Sequence, residues 1–87
     1  MKNGLFIDDI SGIKIWFLNN KYHRIDGPAI ECANGSKCWY QDGEHHRIDG
    51  PAIDYIDGYK EWWINGKKLK CHTQEEFTRL IKLDSFW

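Results

Sequence analysis

The octapeptide His-Arg-Ile-Asp-Gly-Pro-Ala-Ile occupies His23–Ile30 and returns unchanged at His46–Ile53, an offset of 23 residues. Applied to the whole chain, that offset superposes Trp16, Trp39 and Trp62, then Gly12, Gly35 and Gly58, then Lys14, Lys37 and Lys60. Ile7, Ile30 and Ile53 superpose as well, each followed by an acid (Asp8, Glu31, Asp54). A fixed period of this length marks a repeat architecture, in which each unit buries its apolar surface against its neighbours. It also changes what single residues mean. A catalytic group is normally unique, whereas a residue copied at every period builds the scaffold.

Each unit carries two turn signals. Ser11-Gly12, Asn34-Gly35 and Asp57-Gly58 form a first series, and Asn19-Asn20, Asp42-Gly43 and Asn65-Gly66 a second. Such pairs between apolar stretches predict two-residue type I′ hairpins, because both central residues need positive φ. The expected fold is mainly β: a curved antiparallel hairpin-repeat meander of about six or seven short strands.

Two-residue loops fix the register and therefore the faces. Around the first series Ile7 should face Trp16, Ile30 face Trp39 and Ile53 face Trp62. Around the second, Trp16 should face His23, Trp39 face His46 and Trp62 face Leu69. Ile, Trp and His or Leu would then share one side, the expected core. The other side would pair Phe17 with Tyr22, Tyr40 with His45 and Trp63 with Lys68, and also Ile10 with Ile13, Ala33 with Ser36 and Ile56 with Tyr59. There aromatic character persists while residue identity drifts, as in a surface tuned for a partner.

The chain reads as a single domain over 1–87. Residues 1–11 match only the end of a unit and form an edge strand; 12–34 and 35–57 are repeats, and 58–70 is a truncated one. Thr73-Gln-Glu-Glu76 is a capping box, and Phe77, Leu80 and Ile81 follow at helical spacing. This predicts an amphipathic helix over 73–84 that caps the array.

Composition narrows the functional classes. Twelve basic and thirteen acidic residues nearly cancel, which argues against a nucleic-acid binder working by bulk charge. It argues equally against an overall acidic DNA mimic. No apolar run reaches the roughly 18–20 residues of a bilayer span, and no secretory signal is visible. Three cysteines, at 32, 38 and 71, are an odd number that suits a reducing cytoplasm.

The pattern Trp-x₃-Gly-x-x-His-Arg-x-Asp-Gly-Pro-Ala, running from Trp39 to Ala52 with Gly43 in place, resembles a divergent membrane occupation and recognition nexus (MORN) repeat. In the unit from Trp16 to Ala29, Asn20 replaces that glycine. The last unit keeps Trp62 and Gly66 but has Lys68-Leu69-Lys70 where the octapeptide would begin. Residues 73–87 lie outside the resemblance. Repeats of this form occur in small proteins of bacteriophages and large DNA viruses, and a related group is labelled as bacterial antitoxins. The resemblance implies a β-sheet used for binding. It points to a phage accessory protein in the host cytoplasm that occludes a host defence complex, or to an antitoxin-like neutraliser of a toxin protein.

His23, Arg24 and Asp26, with their copies His46, Arg47 and Asp49, invite a catalytic reading. Their duplication, without a unique nucleophile, instead predicts scaffold together with Trp16, Trp39 and Trp62: His stacked on Trp, Arg paired with Asp, and Gly-Pro turning the chain. No unique Ser/His/Asp, Cys/His or paired-carboxylate arrangement stands out, so neither an enzyme nor a cofactor is expected. Cys32 and Cys38 straddle the Asn34-Gly35 turn, on opposite faces in the expected register, and no metal site is expected.

The expected partner-binding residues are an aromatic strip of Phe17, Tyr22, Tyr40, His45 and Trp63, with Glu31, Asp54 and Glu61 meeting a basic groove on a host or toxin protein. Stacking of single-stranded bases and adhesion to a membrane surface are alternatives, but both want a more basic lining. A homodimer could form through the edge around Leu5–Ile7 or through the apolar Phe86 and Trp87.

Overall fold

The structure is a computed structural model, and it describes residues 2–83. Its strands are β1 (Gly4–Ile7), β2 (Lys14–Leu18), β3 (Lys21–Tyr22), β4 (Ile30–Glu31), β5 (Lys37–Cys38) and β6 (Tyr40–Gln41). They continue as β7 (Glu44–His45), β8 (Ile53–Asp54), β9 (Lys60–Glu61), β10 (Trp63–Ile64) and β11 (Lys67–Lys68), before helix α1 (Gln74–Lys82). The architecture is an open antiparallel hairpin array with one helix at its C-terminal end.

The second turn series behaves as the residues require. Both central residues have positive φ: Asn19 at 52° and Asn20 at 67°, Asp42 at 51° and Gly43 at 81°, Asn65 at 46° and Gly66 at 78°. These type I′ turns give the expected pairs Phe17–Tyr22, Tyr40–His45 and Trp63–Lys68. The N–H groups of His23, His46 and Leu69 donate to Trp16, Trp39 and Trp62.

The first series differs. Of Asn34-Gly35 and Asp57-Gly58 only the glycines have positive φ, both at 96°. Gly35 N–H donates to Cys32 O at 3.0 Å and Cys32 N–H to Ser36 O at 2.9 Å, a pattern repeated at Gly58, Tyr55 and Tyr59. This is a three-residue loop, a type I turn closed by a left-handed glycine bulge. The Asn34 and Asp57 carbonyl-type oxygens accept the N–H groups of Ser36 and Tyr59 and hold it in place.

The extra residue slips the register by one. Ile30 lies opposite Cys38, and Ile53 opposite Glu61. A one-residue slip sends a whole strand's side chains to the other face. The expected Ile30–Trp39 and Ile53–Trp62 pairs therefore do not form, nor do Ala33–Ser36 and Ile56–Tyr59. The first loop is longer still, with Asp8 N–H donating to Ile13 O at 2.9 Å, so Ile7 faces Lys14 and Leu5 faces Trp16. The Ile7–Trp16 and Ile10–Ile13 pairs are lost with it.

The main sheet runs β1-β2-β4-β5-β8-β9, with β3 on the other half of β2. The hairpins β6–β7 and β10–β11 join through backbone bonds from Arg24 to Tyr40, Gly43 to Tyr22, Arg47 to Trp63 and Gly66 to His45. Each Trp strand therefore pairs with Ile strands along its first half and with His strands along its second. On the Trp face, adjacent strands alternate in charge: Lys14, Glu31, Lys37, Asp54, Lys60. Opposite charges directly across a pair stabilise it, by roughly 0.2–1 kcal/mol each.

Burial is graded along the array. Trp62, Ile64, Leu69 and Cys71 pack against Phe77 of α1, which is 0 % exposed, with Leu80 and Ile81 flanking it. Thr73 caps the helix by accepting the Glu76 N–H, and Trp62 Nε1 donates to Gln74 Oε1 at 2.9 Å. Trp16 and Trp39 are half-buried, each covered by a guanidinium: Arg24 at 3.9 Å and Arg47 at 3.8 Å from the ring centre. Arginine, then, stacks on these tryptophans, where histidine was expected. Residue 84 of the expected helix, and Phe86 and Trp87, lie outside the described residues. Among those described, no helix is long and apolar enough to cross a membrane.

Phe77→Ala should lower stability by about 3–5 kcal/mol, since it empties the centre of the largest buried cluster. Gly35→Ala should cost about 1 kcal/mol or more, because alanine is strained at positive φ. Chemical denaturation of both variants measures the two effects.

Candidate binding face

The face opposite α1 carries two rows of side chains. The first follows from the type I′ turns, which bring side chains of successive strands into line. Phe17 and Tyr22 lie with ring centres 5.6 Å apart, Tyr22 and Tyr40 5.1 Å, Tyr40 and His45 4.1 Å, and His45 and Trp63 5.0 Å. These separations match the ~4.8 Å spacing of paired strands. The five rings therefore form one unbroken column across all three units.

The second row was not foreseen. Ile15 faces Ile30, Ile30 faces Cys38 and Cys38 faces Ile53, so the slipped register moves Ile30 and Ile53 onto the ring side. Beside the column there is thus a stripe of apolar residues, Ile15, Ile30, Cys38 and Ile53, ending at Glu61. One signal could have found it. With two-residue loops Lys37 would face Cys32 and Lys60 would face Tyr55. Only the three-residue loop sets Lys37 against Glu31 and Lys60 against Asp54. Charge pairing favours the register that forms.

Three carboxylates were expected to join the strip, and they separate. Glu61 does lie at its end, accepting from Trp63 Nε1 at 2.8 Å, Lys68 Nζ at 3.1 Å and the Tyr59 hydroxyl. The Tyr59 hydrogen bond, aided by those from Trp63 and Lys68 and opposed by burial, lowers its pKa. Glu31 and Asp54 fall on the Trp face, where Glu31 meets Arg24 at 2.9 Å and Asp54 meets Lys60 at 2.6 Å. Each is paired with a cation on that face.

The duplicated His-Arg-Asp trio is spent on local contacts. Arg24 Nε donates to Asp26 at 3.1 Å and Arg47 Nε to Asp49 at 2.8 Å, while their Nη1 atoms donate to Pro28 O and Pro51 O. His23 Nδ1 and His46 Nδ1 accept the N–H groups of Asp42 and Asn65, each at 3.0 Å. The Asp42 carboxylate also lies 3.5 Å from His23 Nδ1. Cys32 and Cys38 share the ring face, contrary to the two-residue register. Burial, and then the neighbouring Cys32, raises the Cys38 pKa. Among the described residues no group of three or more His, Cys, Asp or Glu could hold a metal ion.

His45 is the least satisfied member of the column. It sits between the rings of Tyr40 and Trp63, and its buried Nδ1 has no hydrogen-bond partner. Burial lowers its pKa, against weaker upward pulls from the Trp39 backbone and Glu61. The side chain is therefore a neutral imidazole at pH 7, an aromatic surface more than a charge.

No family model, curated protein or solved structure matches this chain.

Burial holds the pKa of both His45 and His46 below the ordinary value of 6.5. The unfolded chain therefore takes up protons first as pH falls. Their contribution to stability is full above that value and is lost as pH drops through it towards the folded pKa. The denaturation midpoint should fall between about pH 7 and about pH 5, and His45→Phe should flatten part of that slope. Urea titrations across this range check it.

Proposed function

We propose that this protein is a non-enzymatic binding module that recognises another protein through the ring-bearing face and acts by occlusion. The observation that carries this reading is the continuous column of Phe17, Tyr22, Tyr40, His45 and Trp63, left uncovered by α1, which packs on the opposite side. Aromatic rings set in an apolar surface, with charge confined to the margins, are what protein interfaces concentrate at their centres. The half-buried Ile15, Ile30 and Cys38 widen this surface, and Ile53 is buried beside them.

Single-stranded nucleic acid would also stack on such rings, but it needs a basic groove along them. The cation nearest Trp63, Lys68, is bound to Glu61, and the net charge is −1. A protein surface is the better complement. The resemblance of the octapeptide units to those of small phage proteins supplies a setting: a viral accessory protein that blocks a host defence complex. An antitoxin neutralising its toxin would use the same face.

The full-length protein, used as bait in its host, should retain one stoichiometric protein partner. Tyr22→Ala and Trp63→Ala should each weaken that complex by about 2 kcal/mol or more, roughly 30-fold. Ile25→Ser, at a loop tip 77 % exposed, should leave it unchanged. Retention of the partner by both ring variants, with circular dichroism unchanged, would remove the ring face from the interface.

A further inference from the structure

The first two Trp strands are paired along both edges, and the third along only one. Trp16 N–H donates to Ala29 O at 2.8 Å and Trp39 N–H to Ala52 O at 2.7 Å. The strands that continue from those alanines set Glu31 against Lys14 and Asp54 against Lys37. After Lys70 the chain leaves the repeat for α1, so no third alanine strand follows. Strand β9 ends its sheet, and among the described residues no carbonyl takes the place of Ala29 O or Ala52 O beside Trp62 N–H.

This edge has the chemistry of an unfilled seat. In an antiparallel strand successive residues point their backbone groups to alternate sides. Tyr59 O accepts from Tyr55 N–H on the β8 side, so the N–H and C=O of Lys60 and Trp62 point outward. A groove of about 600 Å³ runs past Lys60, with Tyr59–Glu61 on one wall and Lys68–His72 on the other. Shifted by 23 residues, the first wall becomes residues 36–38, of which Lys37 and Cys38 pair with Asp54 and Ile53. Ala29 and Ala52 are both 0 % exposed, so the position beside the tryptophan has room for a small residue only. Lys37 has an acid on each side, Glu31 and Asp54, whereas Lys60 has only Asp54. Lys70 adds positive charge to the far wall, where Lys68 is already paired with Glu61.

We propose that this groove is a peptide-binding site that takes an extended segment of a partner protein as an additional antiparallel strand, with a small residue opposite Trp62 and a carboxylate opposite Lys60. Strand addition of this kind draws affinity from main-chain hydrogen bonds and specificity from the side chains at alternate positions. The site lies at a sheet edge, beside the Glu61 end of the ring face.

The repeat itself supplies the probe: a synthetic peptide Arg-Ile-Asp-Gly-Pro-Ala-Ile-Glu, the sequence of residues 24–31. Titrated into the isotope-labelled full-length protein, it should give saturable amide shifts confined to residues 59–62 and 68–72. The amides of Lys60 and Trp62 should become protected from exchange. Lys60→Glu should weaken binding about tenfold, and a peptide ending in Lys should recover affinity for that variant. Lys60→Gln serves if the charge reversal perturbs the fold. Absence of saturable shifts at millimolar peptide would overturn the proposal, as would shifts centred on Tyr22 and Tyr40. Equal binding by Lys60→Glu would do the same. Concentration-dependent shifts at the same amides without peptide would give the groove to a second copy of the chain.

Discussion

The Trp39 N–H bond to the Ala52 carbonyl, with its copy from Trp16 to Ala29, is the constraint on which the array rests. It locks each unit's Trp strand against the strand that closes that unit, where the residue beside the tryptophan is a fully buried alanine. Around it, Arg24 and Arg47 lie flat on the tryptophan rings while holding Asp26 and Asp49. His23 and His46 tether the following turn through Nδ1. The His, Arg, Asp, Pro and Ala of the octapeptide each have a partner in this joint, whereas Ile25 and Ile48 are exposed. Stability in such an array is close to a sum of unit and interface terms.

The same constraint explains why one face is free to vary. Residues of the joint and the charge row occupy the Trp side, and at the C-terminal end α1 seals it over Trp62. The ring side needs only to stay aromatic enough to stack from strand to strand. Phe, Tyr, His and Trp all satisfy that requirement, so identity there can follow a partner. A neutral His45 fits this role, since burial disfavours a charged imidazole between Tyr40 and Trp63.

Much of this was readable from the residues alone. The period, the type I′ turns, the helix start at Thr73 and the membership of the ring column follow from turn chemistry and spacing. The first turn series was not, because Asn-Gly suits two different loops. It can occupy both left-handed positions of a type I′ turn, or the end of a type I turn whose glycine forms the bulge. The choice moved Ile30 and Ile53 to the ring face and Glu31 and Asp54 to the other. Cross-strand charge pairing decided it, a signal weaker than the turn dipeptide yet spread over five residues. Glycine at the turn told where the chain reverses, and the lysines told how far.

The shortest dimension of the molecule is 17 Å, beside 41 and 30 Å for the others. A slab this thin holds little of its hydrocarbon away from water; among the described residues, only near Phe77 do several large side chains share a dry interior. The heat capacity gained on melting scales with the apolar area newly wetted. The curve of free energy against temperature should accordingly be shallow. Cold and heat will then erode the molecule gently, and its tolerance of temperature will owe more to backbone pairing than to oil-like burial.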